Sequence, residues 1–164
     1  MNTGKTGIGR FLKGFVYAFE GIVGCIKTER NMRFHIGAAV LVILLMRFYE
    51  LSSGETAALY ICIGLVISLE LVNTAVEAVT DLVCREKNDL AKKAKDCAAG
   101  AVLAAAAVSV AVGIKIFWDY SVFAAIASYF AERVWLCAVL TAGVILWLMW
   151  VFKTPADKDK KDKD

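Results

Sequence analysis

The chain contains a single histidine, His35, in 164 residues, so no histidine-rich metal site can be built from it. That residue reads as interfacial or core. Five cysteines (Cys25, Cys62, Cys84, Cys97 and Cys137) are odd in number, widely scattered and without a C-x-x-C pair, which argues against a disulfide or zinc framework. A net charge of +3 is too small to point to nucleic acid as a partner. The basic residues read instead as membrane-face anchors and phosphate partners. Gly4-Lys5-Thr6 resembles the end of a P-loop but lacks the glycine that motif requires upstream, and it is set aside. The polar, glycine-rich start also lacks the short apolar core and cleavage site of a signal sequence.

What the chain has in quantity is apolar surface. Hydrophobic residues make up 59% of it, and the mean hydropathy is +0.62, above what a soluble domain carries. An all-α integral membrane protein is expected. A bilayer core takes about 20 apolar residues per helix. Four segments qualify: Met32 to Tyr49, Ala57 to Val83, Cys97 to Trp118 and Val134 to Phe152. The amino-terminal segment carries Lys5, Arg10, Lys13, Lys27, Arg30 and Arg33, and the loop after the second span carries Arg85, Lys87, Lys92, Lys93 and Lys95. The opposite side carries only Arg47, Lys115 and Arg133, so both termini are expected in the cytoplasm.

Between these spans the chain divides into recognisable pieces. Residues 1–8 are expected to be flexible, being mostly small and polar. From Gly9 to Lys27, Phe11, Leu12, Phe15, Val16, Phe19, Ile22, Val23 and Ile26 recur at helical spacing, which predicts an amphipathic helix lying in the interface plane. Glu50 to Thr56 reads as a turn between antiparallel helices. Gly100 and the alanines from Ala104 to Ala107 predict close helix packing in the third span. The apolar segment between Asp119 and Arg133 is too short to cross and is expected on the outer surface. Trp135, Trp147 and Trp150 read as aromatic-belt anchors of the fourth span. After Pro155 the alternating charges of the tail predict disorder.

One stretch is out of place in so apolar a chain. Glu70, Asn73, Thr74, Glu77 and Asp81 share a narrow helical stripe inside the second span. A carboxylate near a bilayer centre costs about 2.5 to 3.5 kcal/mol on insertion scales, and function is the usual offset. The bland alternative is that Asn73 and Thr74 only join helices while the carboxylates sit among headgroups. The second span exceeds the crossing requirement by a turn or two, so its Asp81 end should project into water.

An acid in apolar surroundings is a candidate general base for a substrate hydroxyl, and Glu70 fits that role. Glu77 lies about 10 Å further along the axis and can hold Mg²⁺ through oxygen while substrate phosphates complete the shell. Glu29, in the turn Lys27 to Arg33, reads equally as a screened surface ion pair or as a partner of Glu77 for one cation. Lys95 and its neighbouring lysines supply charge for a polyphosphate, and Glu86 or Asn88 can meet the polar edges of a nucleotide.

These residues resemble the prokaryotic membrane diacylglycerol kinase and undecaprenol kinase family. The likeness is carried by E-L-V-N-T-A-V-E-A-V-T-D at Glu70 to Asp81, A-K-D at Ala94 to Asp96, A-A-G-A-V-L at Ala98 to Leu103 and K-T-E-R-N-M-R at Lys27 to Arg33. It covers residues 9–118. The resemblance implies a homotrimer of three-span subunits with an amphipathic surface helix, active sites shared between subunits, and a bacterial cytoplasmic-membrane location. It also implies ATP as co-substrate and Mg²⁺ as cofactor. By position, Glu70 would be the catalytic base, Glu29 and Glu77 the Mg²⁺ ligands, and Arg10 and Tyr17 nucleotide or lipid contacts. Asn73, Lys95 and Asp96 would fill further site positions, Arg10, Glu70 and Asn73 facing the lipid substrate. The K-T-E-R-N-M-R turn is similar to the Gram-positive undecaprenol kinase branch, which implies a polyprenol acceptor, with diacylglycerol as runner-up. Glu86-Lys87-Asn88 departs from the family's frequent Glu-Tyr-His, and residues 119–152, with a fourth span, form an appended unit outside the common core. Two other classes compete with this reading: a small ion-coupled transporter subunit using Glu70, Asn73 and Glu77 as an ion path, and an assembly protein whose stripe only joins helices.

Overall fold

The structure, a computed structural model, describes residues 7–84 and 86–153. Most of the segments expected to be flexible or disordered at the two ends therefore lies outside the described residues, and Arg85 does too. The described chain is all helical. In order, the helices are α1 (Gly7–Thr28), α2 (Arg30–Leu45, followed by a 3-10 turn Met46–Phe48), α3 (Ser53–Val83), α4 (Asp89–Phe117), α5 (Tyr120–Ala131) and α6 (Val134–Phe152). Among them, α2 with its turn, α3, α4 and α6 are long and apolar enough to cross a membrane.

Local chemistry places the boundaries, and in two helices it moves them outward from the apolar runs. α3 starts at Ser53, inside the segment read from sequence as a turn, because Ser52 and Glu55 close a capping box. The Ser52 hydroxyl accepts from the Glu55 amide at 3.3 Å while Glu55 Oε2 accepts from the Ser52 amide at 2.9 Å, satisfying two amides that have no partner inside the helix. α4 likewise begins at Asp89 instead of at Cys97. Asn88 Oδ1 accepts from the amides of Leu90 and Ala91, and Asp89 adds negative charge at the positive helix end. The charged first two turns of α4 were invisible to a search for apolar length. At α5, Asp119 Oδ1 accepts from the Ser121 hydroxyl at 2.6 Å and from its amide at 2.8 Å, and these bonds hold the carboxyl below the ordinary carboxylate range.

α3 and α4 form the main helix pair, and the short connection between them makes them antiparallel. α2 packs on α3, α6 packs on α2, and the carboxyl-terminal part of α1 reaches α2 and α3. At the end away from the α3–α4 connection, the Tyr49 hydroxyl donates to the Phe117 carbonyl at 2.7 Å and the two rings meet edge to face. Phe48 contacts the rings of Tyr129 and Phe130, joining α5 to the same end. Outward faces are rich in large apolar side chains, including Phe11, Phe15 and Phe19 on α1 and Leu103 and Val108 on α4. Hydrocarbon as the surrounding solvent makes such exposure favourable.

The capping box gives a direct check on the α3 boundary. Ser52→Ala is expected to lower stability by about 1 kcal/mol in reversible detergent unfolding, and Tyr49→Phe by about the same through loss of one hydrogen bond. Unchanged midpoints in both variants would mean that neither contact holds this end of the bundle.

Candidate functional site

The polar stripe of α3 runs from the interior to the edge of the bundle. Glu70 and Asn73 are buried, Glu77 and Thr80 half-buried, and Asp81 exposed. Glu70 is only 2% exposed, and its Oε1 lies 3.3 Å from His35 Nε2 on α2. Its Oε2 is buried and has no hydrogen-bond partner within the described chain. One turn on, Asn73 Nδ2 donates to Glu77 Oε1 at 2.9 Å, while Asn73 Oδ1 is left buried without a partner. Two acceptor oxygens on successive turns are thus desolvated but not satisfied, which is costly unless a ligand completes them.

Glu29 reaches this region through a break in the chain. It adopts an extended conformation (φ −100°, ψ 120°) between the last residue of α1 and the first of α2, so it occupies the corner where the two helices meet. One turn earlier, Cys25 is buried with its Sγ 3.2 Å from Thr74 Oγ1. Thr74 donates its hydroxyl to the Glu70 carbonyl at 3.0 Å, so one Thr74 oxygen links the Cys25 thiol to the α3 backbone. Burial pushes the Cys25 thiol up, Thr74 opposes the shift, and the negative charges of Glu29, Glu70 and Glu77 add to it. The charges of Glu29, Glu70 and Glu77 are thus all felt at the Cys25 thiol, at the junction of α1, α2 and α3.

A hard cation fits this donor set. No cluster of three or more metal-binding histidine, cysteine or acidic side chains exists among the described residues. What the stripe offers is all oxygen: the Glu77 carboxylate, bridged by Asn73, and the unsatisfied Asn73 carbonyl, with Glu29 at the adjacent helix corner. Mg²⁺ is commonly held by one or two carboxylates with phosphate oxygens and waters completing six positions, which matches an incomplete protein shell of this kind.

At the outer edge of the stripe, Lys95 of α4 forms an ion pair with Asp81. This pair ties the two ends of the α3–α4 connection together. Glu86 and Asp96 are exposed nearby in sequence, and Asn88 uses its carbonyl oxygen to cap α4, leaving its amide protons for any ligand. Arg10 and Tyr17 are exposed on α1, about 22 Å and 12 Å along the axis from Cys25. Within one protomer Arg10 does not join the Glu70 group.

On the other side of His35 an apolar cavity of about 380 Å³ opens between α2, α3 and α4. It extends from Phe34 and His35 to Phe117, between walls that include Leu59, Val66 and Val110. Ser109 also lines it, but its hydroxyl is already given to the Ala105 carbonyl at 2.8 Å. His35 is thus shared between the cavity and the contact with Glu70. Sequence reasoning treated it as a core or interfacial residue. The available signal was its spacing from Met32, three residues earlier and so on the same face of a helix.

Together these features supply a buried carboxylate with one free oxygen, an oxygen-rich corner for a cation, a lysine at the water-facing edge and an apolar chamber beside them. The comparisons with known proteins show the family. Residues 16–117 match the family model of prokaryotic diacylglycerol kinase. The chain is 44% identical to an undecaprenol kinase of Bacillus subtilis over 110 residues, covering 67% of this chain and 89% of that protein. It is 46% identical to a diacylglycerol kinase of Synechocystis over 103 residues, 62% of this chain and 59% of the relative. The diacylglycerol kinase of Escherichia coli K12 is 28% identical over 120 residues, 73% of this chain and 98% of its own length. The chain, a multi-pass membrane protein, belongs to the prokaryotic diacylglycerol kinase family.

Proposed function

We propose that this protein is an ATP-dependent lipid kinase that transfers the γ-phosphate to the hydroxyl of undecaprenol at the cytoplasmic membrane face. The observation that carries the reading is the position of Glu70: buried, one oxygen beside His35 and the other unpartnered. Glu70 Oε2 takes the proton of the acceptor hydroxyl as that oxygen forms its bond to the γ-phosphorus, and the bond from phosphorus to the bridging oxygen of ADP breaks. His35 holds Oε1 and leaves Oε2 to the alcohol. Glu29, Glu77 and the Asn73 carbonyl would hold Mg²⁺, which neutralises phosphate charge when bound. Lys95 exchanges Asp81 for the polyphosphate, and Glu86, Asn88 and Asp96 line the nucleotide's approach.

The likeness to an undecaprenol kinase at 44% identity, over 89% of that protein, supports a polyprenol over diacylglycerol. Diacylglycerol is the second reading, favoured by the names of several relatives. Nothing in the comparisons supports a transporter. Residues 9–118 form the kinase core in this reading and 119–152 an appended unit. α1 lies in the cytoplasmic interface with its phenylalanines toward lipid, both termini are cytoplasmic, and a homotrimer brings Arg10 and Tyr17 of one subunit to the site of another. The distance of Arg10 from Cys25 along α1 is what favours that sharing.

Three outcomes are expected for purified protein in lipid with Mg-ATP, read as phosphate transferred to lipid. Glu70→Gln lowers kcat by at least about 10²-fold while the oligomer persists; transfer that survives the substitution would remove Glu70 as base. Glu77→Ala raises the Mg²⁺ concentration needed for half-maximal rate by about tenfold or more, and an unchanged requirement would place the cation elsewhere. Undecaprenol outcompetes diacylglycerol in kcat/KM; the reverse order would make the second reading correct.

A further inference from the structure

The helix that lies beyond the family match is joined directly to the site. Trp147 of α6 donates its indole N–H to the Arg33 carbonyl at 3.2 Å, in the first turn of α2. It can sit so close because position 37 is glycine: a Cβ there would overlap the indole ring. The Trp147 ring lies 5.6 Å from Phe34, Phe34 meets His35 edge-on at 5.7 Å, and His35 Nε2 is 3.3 Å from Glu70 Oε1. A continuous line of contacts therefore runs from α6 to the buried carboxylate. Two further contacts fix the same end of α2: Arg33 lies over the Trp150 ring at 5.9 Å and Arg30 over Phe152 at 5.7 Å. Arg33 is only 4% exposed and Val151 only 2%, so this junction is packed and not a passing touch.

We propose that Trp147, seated in the notch at Gly37, is a positioning residue that acts through Phe34 to hold His35 against Glu70. The appended helix is then part of the reacting unit and not a separate anchor. The turn of α2 that precedes His35 thus takes a hydrogen bond from α6 at the Arg33 carbonyl. A misplacement of about 1 Å at a reacting group can cost up to about 10²-fold in rate, so small rotations of α2 matter. The proposal rests on the lipid-kinase reading for its kinetic part only.

The test compares full-length, untagged wild type, Trp147→Ala, Gly37→Ala, His35→Ala and the double variant Trp147→Ala with His35→Ala, all in lipid. Trp147→Ala and Gly37→Ala are each expected to lower kcat about tenfold with KM for ATP unchanged. In the His35→Ala background the Trp147 change should add less than about twofold, since both act through one contact. Losses that multiply, or a wild-type kcat in Trp147→Ala, would overturn the proposal. Trp147→Phe keeps a ring against Phe34 but removes the donor, and it takes the place of Trp147→Ala if that variant fails to accumulate. A second readout needs no turnover. His35 is the sole histidine, so the side-chain ¹⁵N resonances of histidine-labelled protein report on it alone. Glu70→Gln is expected to move them in wild type and to leave them unmoved when Trp147 has been replaced. An equal response in both backgrounds would refute the positioning role even if no lipid were phosphorylated, a result that would instead count against the kinase reading.

Discussion

Burial of the Glu70 carboxylate among apolar helices is the constraint to which the rest of the bundle answers. A charge in that position is expensive, and the surroundings come from three separate helices: His35 of α2 on the carboxylate itself, Thr74 on the Glu70 carbonyl with Cys25 of α1 against it, and Asn73 bridging to Glu77 on α3. None of them satisfies the second carboxylate oxygen. The packing of α1, α2 and α3 is thus set around a group that is held in place yet left chemically open, a combination that a purely structural polar residue does not need.

The same stripe sorts its acids by depth. Glu70 sits inside, Glu77 is bridged by Asn73 at half depth, and Asp81 is paired with Lys95 at the exposed edge. Because successive members are three to four residues apart, one helix carries its acids at three depths without bringing like charges into direct contact. Glu29 adds a fourth acid from outside the stripe, and it does so because the chain leaves the helical conformation at that residue.

Sequence patterning made the helices and the stripe legible because both depend on periodicity, which a single chain displays. Glu70, Asn73 and Glu77 fall on one face by spacing alone, and their descending burial follows from it. The starts of α3 and α4 were less visible, since Ser52 with Glu55 and Asn88 with Asp89 act through side-chain bonds in stretches too polar to register as spans. Contacts between helices distant in sequence left no periodic trace. His35 resembles any lone core histidine until Glu70 is placed opposite it. Trp147 resembles a membrane anchor until Gly37 is seen to leave room for its ring. Trp135, exposed at the far end of α6, does stand where an anchor would.

α3 is 31 residues long, or about 46 Å, against a hydrocarbon layer of about 30 Å. Its surplus turns let one rigid rod cross the oil and still reach into brine, so its carboxylates are graded by geometry instead of by loop motion. A water-borne donor and an oil-borne acceptor can then meet without either leaving its own phase, and the meeting height is written into the length of a single helix.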